Sequence, residues 1–256
     1  MARNPFLALA YAASCHLTFA AGVSAMAAQL YLGMHAGPVS LPWPLAILWN
    51  AALVGQFAFL HSWMLTRRGA RTLRALAPQQ SGSTLDTTLY AAAASLQVLL
   101  LFGLWAPIGG AVLSVTGPVA VAAQAAFVAG WLLLARAMSE AGLGVQTGAT
   151  GWLAMWRGGR PRYPRGFPEH GLHALCRHPI YASFIVLLWA SPHWSLDRLL
   201  IAAPLTAYCV YGPKRKEARY RARHGAAYAE YLSRTPALFP RLFPRKAPSV
   251  VACQPG

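Results

Sequence analysis

No Asp, Glu, Lys or Arg occurs between Arg3 and Arg67, or between Asp86 and Arg136, so the chain contains charge-free runs of 63 and 49 residues. A membrane span needs about 20 apolar residues, and each run has room for two spans and a connection. A soluble domain carries roughly a quarter charged residues. This chain of 256 residues has 11%, against 56% hydrophobic. Those proportions exclude an ordinary soluble enzyme, a disordered chain and a small secreted disulfide scaffold.

Six apolar stretches can be read, at about 6–32, 43–65, 87–106, 111–135, 179–195 and 199–213, with Pro and Gly clusters at 35–38 and 106–110 between them. Backbone polar groups cannot stay unpaired in lipid, so the stretches are expected to be helices. The fold class is all-α: a polytopic integral membrane helical bundle of five to six apolar segments. The last two form a helical hairpin, as two thin spans or a re-entrant pair, and an amphipathic C-terminal helix follows. One domain is expected over residues 1–245. It holds two N-terminal spans within 1–66, spans three and four within 87–135, and a loop, hairpin and C-terminal helix over 136–240; 246–256 is expected to be a disordered tail. Arg3, an apolar run and Ser24-Ala25-Met26-Ala27-Ala28 also resemble a signal peptide; a retained first span is the reading adopted.

The net charge of +16 is topological. If all six stretches cross, 21 of the 22 Lys and Arg residues share one side and only Arg198 falls on the other. Basic loops mark the cytoplasm, which places both termini there and accounts for the charge without nucleic acid. Cys15, Cys176, Cys209 and Cys253 form no C-x-x-C pair and no metal spacing, so no metal site is expected and the cysteines read as packing.

With charges scarce, their gathering points are informative. One is the loop 136–178, ending Gly171-Leu172-His173-Ala174-Leu175-Cys176-Arg177-His178-Pro179-Ile180-Tyr181. The other begins at Lys214-Arg215-Lys216-Glu217 and runs through Tyr220, His224, Gly225, Tyr228 and Tyr231 to Pro236. A hairpin between them would bring Arg177–Tyr181 beside Lys214–Glu217. Arg177 offers a fork for a carboxylate, His178 a donor or acceptor near neutral pH, and Pro179 suits a first helical position. The same residues also suit a plain interfacial role, as a snorkelling Arg, a capping His and a belt Tyr. Glu217 is either a surface partner of Arg221 at i+4 or a carboxylate for a cationic ligand. The Tyr220, His224, Tyr228, Tyr231 stripe reads first as packing. His61, followed by Ser62 at the end of the second stretch, is a further candidate.

Gly171 through Tyr181, together with Glu217, His224-Gly225, Tyr228, Tyr231 and Thr235-Pro236, resembles the isoprenylcysteine carboxyl methyltransferase superfamily, whose members carry an Arg-His-Pro-x-Tyr motif and a later acidic pair. His61-Ser62 and the Arg157-to-Phe167 loop are most similar to its methanethiol S-methyltransferase and NnrU-like branch. The resemblance covers roughly residues 50 to 245. It implies S-adenosyl-L-methionine as cofactor, held by Arg177, His178, Pro179, Tyr181, Glu217 and Tyr228, with His178, Tyr181 and His173 as catalytic candidates. It also implies a bacterial inner-membrane enzyme that takes a small hydrophobic thiol or a thioether-bearing substrate from the bilayer. Carboxyl methylation of an isoprenylcysteine-type acceptor, or a non-catalytic subunit retaining the scaffold, are the alternatives. A nicotinamide-dependent sterol reductase shares the later motif but not the cofactor elements. The chain departs from the family pattern at Lys216, in place of the first acidic residue, and at His173 and Ser183. A thiol acceptor must lose its proton, and His173, His178 or His61 could receive it.

Overall fold

The computed structural model describes residues 4–78, 81 and 83–240. The expected tail, 246–256, lies outside them. Four long helices form the body: α1 (Pro5–Leu32), α2 (Trp43–Met64), α4 (Asp86–Gly103) and α5 (Gly117–Glu140), with the short basic helix α3 (Arg67–Arg74) between the second and third. Asn4 starts α1 by accepting the Leu7 amide, and Gly33, at φ +78°, ends it. Asp86 opens α4 and is gripped by Arg74 through two contacts of 2.7 and 2.5 Å. The four helices have mean hydropathies of 1.2 to 1.8 over their most apolar windows. They turn Phe6, Leu17, Leu48, Phe59, Val121 and Leu132 outward. An outer surface of that kind is stable in lipid and not in water, so the protein is an integral membrane helical bundle.

The most buried of the four is α4, which lies between α1, α2 and a later helix over Ala149–Arg157. Close approach is built in at Gly22, where a Cβ would sit 2.7 Å from the Ser95 carbonyl of α4. The main core joins Leu30 and Met34 of the first helical hairpin to Leu101, Trp105, Leu187 and Ile201.

The fifth and sixth apolar stretches become α9 (Pro179–Trp189) and α10 (Leu196–Tyr211). At 1.5 Å per residue these are roughly 16 and 24 Å long, short of a hydrocarbon core of about 30 Å. The hairpin closes at its far end through a two-residue strand, β2 (His193–Trp194), paired antiparallel with β1 (Leu113–Ser114). The sequence expectation of a helix from 111 is therefore corrected. Gly109 and Gly110 take φ of +84° and +102°, and α5 begins only at Gly117-Pro118 and continues to Glu140.

Arg198, the one basic residue assigned to the far side, does not face solvent there. It is fully buried and donates to the Leu30 and Leu187 carbonyls near the C-terminal ends of α1 and α9. Beside it, Asp197 accepts from Trp105 Nε1 at 2.9 Å and from the Ile108 amide, while Asn50 exchanges two hydrogen bonds with Ala106. These bonds satisfy the backbone where the helices turn back.

At the opposite, basic end the connections are folded rather than loose. Between α5 and α9 lie α6 (Leu143–Gln146), α7 (Ala149–Arg157) and α8 (Leu172–Leu175); after α10 comes α11 (Pro213–Arg234). Helix α7 docks on α4 through Thr88, which donates to the Gly148 carbonyl and accepts the Trp152 amide, and Trp152 donates to His16.

Candidate active site

Arg177 and His178 lie immediately before α9. Pro179 at the first helical position keeps His178 out of the helical region, at φ −129° and ψ 57°. The two residues are held by the segment following α11: Arg177 donates its amide to the Pro236 carbonyl at 2.8 Å, and His178 to Ala237 at 3.0 Å. The hairpin then returns Glu217, on the first turns of α11, to the same point. Glu217 Oε1 accepts from His178 Nε2 at 2.8 Å and lies 3.1 Å from Arg177 Nε. Arg177 also donates Nη1 to the Leu232 carbonyl. The juxtaposition expected from sequence is formed. Glu217 pairs with Arg177 and His178 rather than with Arg221, which is exposed.

His178 is 3% exposed. Burial drives its imidazole below the ordinary histidine range, opposed by the Glu217 hydrogen bond and reinforced by the positive fields of Lys216 and Arg177. It is neutral at pH 7, and its Nδ1 is buried with no partner. Lys216 is half-buried, with Nζ 5.5 Å from the centre of the Tyr220 ring. Desolvation, helped by Arg219, lowers the pKa of its ammonium.

A second carboxylate supports the site from below. Glu140, at the end of α5, accepts from Arg136 Nε, at 2.7 Å, and from the Leu172 amide, at 2.8 Å; it also lies 3.4 Å from His173 Nδ1. His173 is 1% exposed, and its carbonyl accepts the Tyr231 hydroxyl at 2.6 Å. Burial lowers its pKa as well. His173 is thus engaged by Glu140 and Tyr231 rather than by Arg177 or Glu217. Glu140 was not singled out from sequence. The available signal was its rarity, as one of six acidic residues, at the end of a long apolar run.

Pro179 is buried, and its carbonyl accepts from Ser183 Oγ at 2.8 Å. The serine that departs from the family pattern is therefore bound within its own helix. Tyr228 is 2% exposed, and its ring lies against Phe167 (5.0 Å between centroids), Tyr220 (5.4 Å) and Tyr231 (5.8 Å). The aromatic stripe packs around Phe167 as the first reading expected, and α11 kinks within it at Gly225, whose φ and ψ of 54° and −126° suit glycine alone. His224 Nε2, in the same group, is buried and unpartnered.

On the membrane side the site continues through Tyr181, whose ring meets His178 edge-on at 5.9 Å. Tyr181 lies within electrostatic reach of Tyr208 and Cys209 on α10 and Arg219 on α11. The Tyr208 hydroxyl is 3.2 Å from Ser62 Oγ, and its ring lies 6.2 Å from His61. Among the described residues no group of His, Cys, Asp and Glu could hold a metal ion. Cys15, Cys176 and Cys209 are buried free thiols, and Cys253 lies outside the described residues. The arrangement presents a carboxylate, a guanidinium and a neutral imidazole at the basic end, bordered by aromatic rings that continue into the bilayer.

Three relatives are informative. The chain is 31% identical over 199 residues to a methanethiol S-methyltransferase of Pseudomonas sp. (strain GM41(2012)), spanning 77% of this chain and 74% of that protein. It is 28% identical over 194 residues to the methanethiol S-methyltransferase of Mycobacterium tuberculosis, with coverages of 75% and 78%. Methanethiol S-methyltransferase 1 of Bradyrhizobium diazoefficiens is 30% identical over 197 residues, with coverages of 75% and 66%. No protein-family model and no solved structure matches the chain.

Proposed function

The chain belongs to the methanethiol S-methyltransferase family, and on that premise we propose that it is an integral membrane enzyme transferring a methyl group to a small lipophilic thiol, with S-adenosyl-L-methionine as donor. The observation that carries the reading is the meeting of Arg177, His178 and Glu217 at the base of the α9–α10 hairpin. When bound, the donor supplies an electrophilic methyl group on a positively charged sulfur.

The residues present fit its charged end. Glu217 uses Oε1 for both partners, which leaves Oε2 for an amino group, and Arg177 retains Nη2 for a carboxylate. His178 holds Glu217 in place. The faces of Tyr181 and Tyr208 border the route from these charges into the membrane and suit a sulfonium by cation–π attraction. Pro179 fixes the start of α9, while Tyr228 and His173 support the wall through Phe167, Tyr231 and Glu140. Methyl transfer is an in-line displacement that depends on positioning in a dry pocket, and these residues provide positioning.

We place the basic end in the cytoplasm of a bacterial inner membrane, with both termini on that side, and the described residues form one methyltransferase domain. A water-soluble donor then approaches from the cytoplasm, and an apolar thiol reaches the aromatic side laterally from lipid. The test is incubation of the detergent-purified protein with labelled S-adenosyl-L-methionine and either methanethiol or a prenylcysteine. Labelled dimethyl sulfide in the headspace supports the reading. Label on the prenylcysteine alone, or donor binding with no product from either acceptor, overturns it.

A further inference from the structure

Every methylation of a thiol must dispose of a proton, and Arg177, His178 and Glu217 are committed to one another. A separate group gathers on three other helices. His61 Nε2 on α2 is 2.8 Å from the hydroxyl of Tyr90 on α4. Its other ring nitrogen, Nδ1, is buried and has no partner. Phe57 covers one face of the imidazole at 5.1 Å with the rings tilted by 32°, and Tyr208 meets it at 6.2 Å, nearly perpendicular. Three helices thus converge on a single unsatisfied imidazole nitrogen. A buried polar atom without a partner is uncommon in a folded protein, and here its ring meets Tyr208, which flanks Gly212 together with Tyr181.

Resting on the methyltransferase reading above, we propose that His61 is the catalytic base that removes the thiol proton, with Tyr90 as the residue that fixes its tautomer. With Nε2–H donated to the Tyr90 oxygen, Nδ1 carries the lone pair. In the step, the S–H bond of the acceptor breaks and its proton moves to His61 Nδ1. The sulfur lone pair forms the new bond to the donor methyl, and the carbon–sulfur bond of the donor breaks with its electrons remaining on the departing thioether sulfur. His61 leaves the step as an imidazolium hydrogen-bonded to Tyr90 and returns the proton to water before the next turnover. The ionisable groups facing this position are Tyr90 from α4 and Tyr208 from α10, with Tyr181 of α9, Cys209 of α10 and Arg219 of α11 one layer further. His178 is the competing base, since its Nδ1 is likewise buried without a partner, but a proton added to that ring would sit in the positive fields of Arg177 and Lys216.

The experiment compares wild type with His61→Gln, Tyr90→Phe and His178→Gln, using methanethiol and an aryl thiol that is already ionised at neutral pH. For His61→Gln, kcat with methanethiol should fall about 10²-fold, the scale of general-base catalysis. With the aryl thiol the loss should shrink to a few-fold, and donor affinity and KM should be unchanged. Its rate should also follow the free thiolate, rising about tenfold per pH unit, where wild type levels off. Tyr90→Phe should lose about tenfold with methanethiol alone. Independently of turnover, the ¹⁵N spectrum of the donor-free protein, compared with that of His61→Gln, should show His61 protonated on Nε2. Equal losses with both thiols, a levelling pH profile that survives in His61→Gln and disappears in His178→Gln, or a proton on Nδ1 overturns the proposal while leaving the methyltransferase reading intact. A wild type that methylates no thiol overturns that reading itself.

Discussion

The carboxylate of Glu140 occupies the space that a side chain on Gly171 would need, and the same carboxylate accepts the Leu172 amide at 2.8 Å. Gly171 takes φ +60° and ψ −127°, a conformation closed to other residues. Gly171→Ala therefore adds backbone strain of about 1–3 kcal/mol and displaces the anchor of the loop that leads to Arg177. The expected outcome is a lower unfolding temperature in detergent and weaker donor binding. Glu140→Gln keeps the volume and should do less. An alanine variant with unchanged melting would show that the loop is free of this constraint.

Glu217 and Arg177 are each only 16–17% exposed on their side chains, so deleting one charge leaves the other poorly solvated. Glu217→Gln should weaken donor affinity by at least about thirtyfold, near 2 kcal/mol, measured by calorimetry. Arg177→Lys keeps the charge and loses the fork that reaches both Glu217 and the Leu232 carbonyl, and its loss should approach that of Glu217→Gln. Affinity unchanged in both variants would remove these residues from the donor site.

These two residues were legible in the sequence because charge is so scarce there: a lone Glu among basic residues, returned by a hairpin to an Arg-His-Pro, stands out against an apolar background. Glu140 did not, because its partners Leu172 and His173 lie 32 and 33 residues away and nothing local marks them. The same holds for α7, which is anchored to α4 by the Thr88 hydroxyl and to α1 by the Trp152–His16 hydrogen bond. Apolar runs revealed the spans. They did not reveal that Gly109 and Gly110 would turn the start of the fourth run into a short strand, since composition there is as apolar as in a helix.

Buried histidine gives the stability a definite pH dependence. The folded pKa of His178 lies below its unfolded value of about 6.5. The unfolded chain therefore binds the proton first, and stability rises with pH through that interval. It is full above about pH 6.5 and is lost as the pH falls below it. His178→Gln should flatten this part of the melting-temperature profile relative to wild type, with His173 accounting for a share of the remaining slope. An identical profile in the variant would mean that His178 is not buried neutral.

At the far end, Arg198 closes the C-terminal carbonyls of two helices that do not otherwise share a cap. Arg198→Ala leaves the buried Leu30 and Leu187 carbonyls without this donor. A buried acceptor left unpaired costs about 1–3 kcal/mol. Melting should drop sharply while KM for the thiol stays near wild type in the folded fraction, because the far end does not touch the site. A change in KM at constant melting temperature would contradict that separation.

Lys216 stands where the resemblance to the methyltransferase superfamily leads one to expect an acid, and its position decides what it does to a cationic donor. Its ammonium lies over Tyr220 rather than in a contact with Glu217, yet its field reaches both His178 and His173. A positive charge at that range, half-buried, opposes a sulfonium and an ammonium by about 1–2 kcal/mol. Lys216→Met keeps most of the stem packing against Tyr220 and removes the charge. Donor affinity should rise about tenfold, with the gain shrinking as salt is added, and Lys216→Glu should extend it. A weaker donor in Lys216→Met would mean that the lysine itself holds the donor carboxylate, exchanging the part assigned to Arg177 and leaving Glu217 as the sole acidic partner of the amino group.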